Sequence, residues 1–374
     1  MFIFSVETSC DETAAAILEF DSNGKFKLLA NQIASQIKIH APWGGIVPNL
    51  AAREHSKNII PIIKKTFTKA NLTPEKMDLF SVTEGPGLIP ALLIGTNTVK
   101  TLSYFYRKPL IGVHHIEGHI YSNYLQKNQG DLNQFNFPIL NLVISGGHTQ
   151  LILMKNHLKY EIIGQTQDDA VGEAFDKVAK IMGFEYPGGP IISKQAREAE
   201  KLIKKEKVAS KFTDIKFPRP MMHLPNLDFS FSGLKTAVLY FYQKLEAQEL
   251  PKKEMLVWRK FISKAFQDAV IEVSQYKTLK AIEAHQPQTV LLSGGVSANS
   301  QIFETLEKKL AEEYPEITFH SPEKDLCGDN AAMIGVAGIA RYLYGDKKKF
   351  GNNWKTLEAN SNLKLKSPQC KESV

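Results

Sequence analysis

The chain carries one order of secondary structure twice, and this repetition most constrains its fold. Apolar, strand-forming segments at residues 2–7, 14–20 and 27–33 are separated by polar turns, which predicts an antiparallel meander. Helical and strand-like segments then alternate, and a second meander begins at residue 139. The turn Ser-Gly-Gly recurs at residues 145 and 293. This duplication predicts an α/β protein with two related lobes and a ligand cleft between them.

The remaining elements follow from hydrophobic periodicity. Further strands are predicted at 78–83, 109–114, 139–144, 150–154, 160–164, 289–292 and 317–320. Helices are predicted at 50–70, 91–106, 170–182, within 234–284, at 299–314 and at 330–344. We expect an N-terminal lobe over 1–125, completed by a helix near 328–345, and a C-terminal lobe over 126–327. The Asn/Gln-rich stretch 126–136 is predicted to link them, and 346–374 reads as a basic polar tail and a candidate for flexibility.

Composition allows a polyanionic partner but does not demand one. The net charge is +7, which suits nucleic acid, although any lysine-rich soluble protein would show the same excess. The lysines concentrate at 201–216, at 252–253 and at 347–366. Three sparse cysteines, Cys10, Cys327 and Cys370, argue against a secreted disulfide framework. With no signal-like or membrane-spanning stretch predicted, we expect a cytoplasmic protein without membrane attachment.

The motif His114-His115-Ile116-Glu117-Gly118-His119 is the sharpest metal signal. On a helix, His115 and His119 lie one turn apart on the same face, which lets two imidazoles bind one metal. A third ligand must come from elsewhere, and Asp329, just before a helix, is the best distant candidate; a plain helix cap is the alternative for it. A bare pair of histidines at this spacing is more often structural than metal-binding.

Glu117 has the wrong spacing for a zinc peptidase. The peptidase motif has its glutamate directly after the first histidine, whereas Glu117 comes two residues after His115. On a helix this turns the carboxylate away from the metal face, which weakens a metallopeptidase interpretation.

Glycine turns follow apolar strands at 145–147 and 293–295. Glycines there let backbone N–H groups approach an anion closely, and the second turn opens onto a helix whose N-terminus favours phosphate. Hairpin turns and helix caps would look the same. Neither turn fits the Walker or dinucleotide-binding patterns.

Acidic residues mark two further segments. The loop 8–13 carries Asp11 and Glu12 beside hydroxyl groups, a composition that suits a phosphate or metal site and also an ordinary turn. Asp169, Glu173 and Asp176 share one face of the helix predicted at 170–182, as they would on any amphipathic helix.

Eleven motifs, in order across roughly residues 1–345, resemble the bacterial TsaD type of the tRNA threonylcarbamoyladenosine-synthesis family. They are VETSCDET from Val6, HAPWGGIVPNLAAREH from His40, GPGLIPALLIG from Gly85, HHIEGH from His114, ISGGHTQL from Ile144, DDAVGEAFDKVAKIMG from Asp168, YPGGP from Tyr186, FPRPM from Phe217, LDFSFSGLKT from Leu227, SGGVSAN from Ser293 and GDNAAMIG from Gly328.

The resemblance implies the two-lobed fold of actin, Hsp70 and sugar kinases (the ASKHA fold, a duplicated ribonuclease H-like fold). It implies transfer of a threonylcarbamoyl group from threonylcarbamoyl-AMP to N6 of adenosine 37 in tRNAs that read codons beginning with A. The implied partners are an inactive paralogue of the same fold (TsaB type) and a small ATPase (TsaE type).

The resemblance also assigns site residues. It implies a divalent metal, usually iron with zinc or magnesium as alternatives, bound by His115, His119 and Asp329. The residues it implies for substrate binding are Val143, Ile144, Ser145, Gly146, Gly147, Asp176, Gly189 and Asn299.

The implied reaction needs a base, because the exocyclic amine of adenine must lose a proton as it is acylated. Our hypothesis assigns proton removal to Asp11 or Glu12. Two other functions remain open from the sequence alone. One is a metal-dependent peptidase, and the other is a non-catalytic nucleotide-binding scaffold of the same fold, in which the metal positions would be lost.

Overall fold

Two mixed β-sheets form the frame of the molecule. The structure is a computed structural model that describes residues 1–205, 208–346, 350 and 353–366. The strands are β1 (Phe2–Glu7), β2 (Glu12–Phe20), β3 (Lys25–Ser35), β4 (Leu79–Gly85), β5 (Leu110–His114), β6 (Leu125–Gln126), β7 (Gln129–Asp131), β8 (Ile139–Ile144), β9 (Thr149–Asn156), β10 (Lys159–Gln165), β11 (Thr289–Ser293) and β12 (Thr318–His320).

Helices cover both faces of each sheet. They are α1 (Ile37–His40), α2 (Pro48–Ala70), α3 (Ile89–Tyr106), α4 (His115–Tyr121), α5 (Val171–Ile181), α6 (Gly188–Lys205), α7 (Ser210–Thr213), α8 (Ser232–Glu246), α9 (Lys252–His285), α10 (Ser300–Glu313), α11 (Lys324–Cys327), α12 (Ala331–Tyr344) and α13 (Asn353–Thr356). Across the described residues, none of these helices has the length and apolar character needed to cross a bilayer.

The two sheets repeat one topology. Their strand orders are β5-β4-β1-β2-β3-β7-β6 and β10-β9-β8-β11-β12. In each, three consecutive strands form an antiparallel meander, and two later strands add in parallel beside the first strand of that meander. The predicted α/β fold with two related lobes is therefore confirmed, and the carboxyl ends of the parallel strands of each lobe meet at one edge of its sheet.

The last long helix, α12, packs on the first sheet although it lies more than 300 residues from β1 in the chain. Gly338 makes this approach possible, since a Cβ there would lie 2.8 Å from Ile3 Cδ1 and 3.0 Å from Ser81 Cβ. On the opposite face of the sheet, Phe4 stacks on Phe67 of α2 with ring centroids 5.0 Å apart. Covered on both sides, the parallel strands are buried almost throughout, as their continuous apolar runs predict.

One apolar core joins the lobes. Ile116 and Ile120 of α4, from the first lobe, belong to the same buried cluster as Val143 and Ile152 of the second sheet. The first lobe thus presents α4 directly to the second lobe, which fixes the position of the histidines on this helix relative to the turn after β8.

The stretch predicted as a linker, 126–136, differs from expectation. Leu125–Gln126 and Gln129–Asp131 form a hairpin whose β7 pairs with β3, so the first sheet extends to Asp131. The two turn residues, Lys127 and Asn128, both have positive φ, the backbone of a tight two-residue hairpin turn. The hairpin could not be predicted because its strands are short, mostly polar and at the edge of the sheet, so they show no apolar pattern.

Part of the basic tail packs against the first lobe. Leu357 is buried, and its carbonyl accepts a hydrogen bond of 2.9 Å from Lys100 Nζ. Leu363 lies close enough to His114 for its carbonyl to accept a hydrogen bond from His114 Nε2 at 3.0 Å. The lysines at 347–349 and Cys370, singled out in the sequence, lie outside the described residues.

Candidate functional site

Helix α4 begins directly where β5 ends, and this junction positions both histidines of the predicted pair. His114 Nδ1 accepts a hydrogen bond from the backbone N–H of Ile116 at 3.2 Å and so caps the helix. Burial lowers the pKa of His114 to about 3, so its ring is neutral and Nδ1 is free to accept. The next residue, His115, is the first of the helix and points into the region between the lobes.

His115, His119 and Asp329 converge on one point. Each offers one ligand atom, and these atoms all lie within 4.8 Å of one another. Asp329 Oδ1 lies 3.6 Å from His115 Nε2 and 3.2 Å from His119 Nε2. Asp329 precedes α12, whose packing on the first sheet brings this carboxylate to α4 across more than 200 residues of sequence.

The chemistry of these three side chains suits a divalent cation. Both ring nitrogens of His119 are buried, and within the described residues their close polar neighbour is Asp329 Oδ1, in an ion-pair contact 3.2 Å from Nε2. Two imidazoles and one carboxylate are the donor set of non-haem iron and of many zinc sites, whereas magnesium prefers oxygen donors. The residues present therefore fit Fe²⁺ or Zn²⁺ better than Mg²⁺.

Charges inside the cluster shift its protonation. Burial alone would lower the pKa of His115, but the carboxylates of Asp329 and Glu7 raise it above its usual value. Burial alone would raise the pKa of Asp329, but the neighbouring histidines hold it below its usual range. Without a metal the cluster is thus held together by a proton on His115, and a bound cation would take that proton's place.

Glu117 faces away from the three ligands. It is fully buried, and its carboxylate accepts hydrogen bonds from Arg341 Nε at 2.8 Å and Arg341 Nη2 at 2.7 Å. Arg341 also donates to the carbonyl of Gly112 at 2.8 Å. A carboxylate engaged in this way cannot activate water on a metal bound by His115, so Glu117 is not placed to act as the base of a peptidase.

Gly118, within the histidine pair, has a packing role. A Cβ at this position would lie 2.8 Å from Ile334 Cδ1 and 3.2 Å from Met333 Cγ of α12. The absence of a side chain lets the two helices that supply or precede the three ligands approach closely.

A cavity of about 640 Å³ lies in the second lobe, a size typical of small-ligand sites. Four of the residues predicted to bind substrate line it: Gly146, Asp176, Gly189 and Asn299. A Cβ on Gly146, Gly189 or Gly295 would meet nothing within 4 Å, so backbone at these glycines is open to a ligand. Ser300, the first residue of α10, forms part of the same wall, which gives the cavity a helix N-terminus.

The other predicted substrate residues take different positions. Val143 and Ile144 are fully buried within β8, where only their backbone can serve a ligand. Ser145 shapes the turn: its N–H donates to the carbonyl of His148 at 2.8 Å, and its Oγ accepts from the backbone N–H of His148 at 3.2 Å. Gly147 lies in this turn and a Cβ there would meet nothing within 4 Å.

Gly172 brings the start of α5 against this turn. A Cβ at Gly172 would lie 2.7 Å from the carbonyl oxygen of Ser145 and 2.8 Å from Gly146 Cα. No side chain can be added here without moving backbone, so the turn is held in place by the helix behind it.

Asn299 is already engaged with the protein. Its Oδ1 accepts from the backbone N–H of Gln301 at 3.1 Å, which caps α10, and its Nδ2 donates to Ser193 Oγ at 3.0 Å and Gln267 Oε1 at 2.8 Å. Gln267 is fully buried in α9, and nothing in its local sequence marked it. Asn299 therefore fixes the cavity wall as well as lining it.

Asp11 lies on the loop between β1 and β2, Glu12 is the first residue of β2, and neither residue lines the cavity. Burial, Asp11 and Asp329 raise the pKa of Glu12 well above its usual value, which keeps its carboxyl group protonated near neutral pH. The negative charge of Asp11 also raises the pKa of Tyr186, after the larger effect of burial, which puts this loop opposite the second lobe.

Two residues near the three ligands carried weak sequence signals. His148 feels the charges of His115, His119 and Asp329, and burial followed by the two histidines lowers its pKa to about 4, so it is neutral. Glu7 contacts His115 directly, at 3.2 Å from Nδ1. His148 and Glu7 both lie within motifs that carry the family resemblance. A histidine after a glycine turn, or an acid at the end of a strand, does not by itself indicate a role at a metal site.

Comparison with known proteins gives the family. A profile described as "TsaD: tRNA N6-adenosine threonylcarbamoyltransferase" matches residues 27–336. A Thermosipho africanus protein named tRNA N6-adenosine threonylcarbamoyltransferase is 44% identical over 365 residues, 98% of this chain and 100% of that one. One of the same name from Bacillus subtilis is 43% identical over 355 residues, 94% of each.

A solved structure supports the fold alone. Full-length HypF in its phosphate- and nucleotide-bound form aligns with a TM-score of 0.52 at 13% identity, covering 96% of this chain and 56% of that chain. The fold of this chain is thus shared with a solved protein of low sequence identity. On the extent and identity of the sequence matches, the chain belongs to the TsaD family of tRNA N6-adenosine threonylcarbamoyltransferases.

Proposed function

We infer that this chain is a tRNA N6-adenosine threonylcarbamoyltransferase that acylates N6 of adenosine 37. The observation that carries this function is the family match over residues 27–336 in a chain whose His115, His119 and Asp329 still converge. A non-catalytic scaffold of this fold would be expected to lose those three residues.

We propose threonylcarbamoyl-AMP as the donor, bound in the 640 Å³ cavity. Open backbone at Gly146 and Gly295 and the N-terminus of α10 would hold the adenylate phosphate. Val143, Ile144 and Gly147 would contribute through backbone at the end of β8. Asp176, whose carboxylate accepts from Gly188 N at 2.7 Å, would fix the turn that carries Gly189.

The resident metal in this proposal is Fe²⁺, with Zn²⁺ as the alternative, held by His115, His119 and Asp329. The donor set supports this assignment over Mg²⁺. Such an ion, when bound, supplies positive charge that polarises the donor and orients it. The chain's own part is to hold the two imidazoles on α4 and the carboxylate just before α12.

We propose Asp11 as the group that receives the proton from the adenine amine. Its loop faces the second lobe, and its neighbour Glu12 is held protonated. A protonated Glu12 cannot accept another proton, but it can donate a hydrogen bond to Asp11 and keep that carboxylate in place. Of the two acids predicted from the sequence, Asp11 is therefore the better base.

The rim of the cavity supports a tRNA partner. Lys194, Arg197 and Lys201 lie on one side of α6, and Lys324 faces them across the opening. A phosphodiester backbone would be attracted to this cluster, while the target base, in a loop, can be splayed into the cleft.

Protein partners and location complete the proposal. Ile60, Leu93 and Phe105 on α2 and α3 are exposed apolar side chains. We propose that these helices contact a partner protein, the inactive paralogue of the same fold. A small ATPase is proposed from the family resemblance.

The unpaired thiols of Cys10 and Cys327 suit a reducing compartment, so we propose the cytoplasm.

The test is direct. Purified protein, with its partners, is incubated with tRNA and threonylcarbamoyl-AMP, and the tRNA is digested to nucleosides. Formation of the threonylcarbamoylated adenosine supports the proposal. Absence of that nucleoside, together with cleavage of casein by the metal-loaded protein, would support the peptidase instead.

A further inference from the structure

A buried carboxylate that belongs to neither the cavity nor the three ligands lies behind His115. Glu7 ends β1 and is fully buried. Its Oε1 accepts a hydrogen bond from the backbone N–H of Ser9 at 2.5 Å, and its Oε2 accepts from Thr83 Oγ1 at 2.5 Å. Oε2 also lies 3.2 Å from His115 Nδ1. A buried carboxylate is unfavourable unless it is hydrogen-bonded or paired with a cation. The contact with His115 is therefore one of the interactions that make a buried Glu7 tolerable.

The three partners come from the carboxyl ends of adjacent parallel strands. Glu7 ends β1, Thr83 lies in the neighbouring β4, and His115 follows β5, which pairs with β4 on its other side. The duplicated topology thus aligns a carboxylate, a hydroxyl and an imidazole across one sheet edge. A small displacement of any one of these strands would move a member of this group relative to the others.

Glu7 decides which nitrogen of His115 carries the proton. A carboxylate can only accept a hydrogen bond, so the 3.2 Å contact requires a proton on Nδ1. Ser9 Oγ lies 3.1 Å from the same nitrogen, but a hydroxyl can donate or accept and makes no choice. With Nδ1 protonated, Nε2 is the nitrogen on the side of Asp329, 3.6 Å from its Oδ1, and it offers its lone pair to a cation once its own proton has left.

We propose that Glu7 is a positioning residue that holds His115 with its proton on Nδ1 and its Nε2 directed at the metal. This role rests on the proposed metal site. The two histidines then differ in how their rings are oriented. His119 has no hydrogen-bond partner for either ring nitrogen among the described residues, whereas the ring of His115 is oriented by Glu7 before a metal binds.

The experiment measures metal binding rather than activity. Wild type, Glu7→Gln, Ser9→Ala and Ser5→Ala are stripped of metal and titrated with Co²⁺, Zn²⁺ and Fe²⁺ in competition with a chelator. We expect Glu7→Gln to bind each metal about 10–100-fold more weakly, the range for loss of such a partner, because glutamine can present its amide N–H to Nδ1 and favour the wrong tautomer. Ser9→Ala, which keeps its backbone N–H to Glu7, is expected to lose much less.

Ser5→Ala is the matched control for folding. Ser5 is also buried in β1 and accepts a hydrogen bond from Ser81 Oγ at 2.9 Å, but it does not contact His115. Its substitution is expected to leave metal affinity unchanged. Equal metal affinities for Glu7→Gln and wild type would overturn the role of Glu7 and leave the metal site intact.

A second measurement needs no variant, in case Glu7→Gln does not fold. In the Co²⁺ form, the ring N–H of a ligating histidine gives a strongly shifted proton resonance that exchanges with water. We expect the Nδ1–H of His115 to exchange slowly because it is hydrogen-bonded to a buried carboxylate. A spectrum with His115 bound through Nδ1 would overturn the proposal. Failure of wild type to bind any of the three metals would overturn the metal site together with it.

Discussion

Glu117 and Arg341 are joined by two hydrogen bonds across 224 residues of sequence. Glu117 lies between the two histidines on α4, and Arg341 lies on α12, the helix that follows Asp329. The pair therefore connects the two elements that supply the three ligands. It also engages the Glu117 carboxylate, which therefore cannot serve as the base of a peptidase.

Removal of Arg341 should destabilise the fold and loosen the metal site. Arg341→Met leaves Glu117 buried without its partner, for which we expect a loss of about 3 kcal/mol in the free energy of unfolding. Urea denaturation measures this loss, and metal titration should show weaker binding. The double variant Glu117→Leu/Arg341→Met should lose less than the two single variants combined, and additive losses would contradict the pairing.

Two glycines of the donor cavity should respond differently to alanine. Gly172→Ala places a Cβ against backbone of the turn at Ser145, so we expect lower stability and weaker donor binding. Gly146→Ala meets no protein atom within 4 Å, so we expect unchanged stability but weaker donor binding, because the methyl group occupies ligand space. Thermal denaturation and the KM for the donor separate these outcomes. Unaltered donor binding in Gly146→Ala would place the adenylate elsewhere.

Substitutions of Asp11 and Glu12 should differ in their effect on the transfer rate. Asp11→Asn removes the proposed proton acceptor, and we expect transfer to slow by about 10²–10⁴-fold with donor affinity retained. Glu12→Gln replaces a protonated carboxyl group by a neutral amide of the same size, so most of the rate should remain. Single-turnover transfer and donor binding are the measurements. Full rates in both Asp11→Ala and Glu12→Ala, with donor binding unchanged, would remove both residues from proton transfer.

His157 should make stability depend on pH. Burial lowers its pKa from 6.5 to about 4, and its neutral ring donates from Nε2 to the Leu132 carbonyl at 2.9 Å and accepts at Nδ1 from Tyr121 Oη at 3.0 Å. The unfolded chain binds a proton more readily, so this contribution is present above about pH 6.5 and is lost as the pH falls toward 4.

The check compares wild type with His157→Gln by urea denaturation at pH 7.5 and pH 5. The variant should lose less stability between these two values than wild type does. Other buried histidines, such as His114 and His148, are the same in both proteins and cancel in the comparison. Identical pH dependence in the two proteins would show that protonation of His157 does not limit stability.

Strong local patterns predicted most of the fold. Strands such as Phe2–Glu7 and Ile139–Ile144 have the bounds expected from their apolar runs. Helix α6 (Gly188–Lys205) was not predicted, because it begins with Gly188, Gly189 and Pro190, a composition typical of turns. Local sequence could not give the hairpin within 126–136 either, since its strands are too short to show a period.

For the candidate site, the histidine pair was predicted from local sequence, but the contacts between distant residues were not. The spacing of His115 and His119 indicated a pair of ligands, whereas Asp329 was a distant candidate that the family resemblance, and not its local sequence, assigned to the metal. Contacts of Glu7 with Thr83 and His115, and of Asn299 with Gln267, depend on which strands and helices become neighbours. No pattern within a short window contains that information.

Metal-dependent transfer in Asp329→Asn tests the central claim most directly. The variant and the control Asp325→Asn, four residues earlier and exposed, are loaded with Fe²⁺, assayed for metal content and supplied with threonylcarbamoyl-AMP, tRNA and partners. We predict that Asp329→Asn retains little metal and forms almost no threonylcarbamoylated adenosine, while Asp325→Asn matches wild type. Full modification of tRNA by metal-free Asp329→Asn would contradict the account.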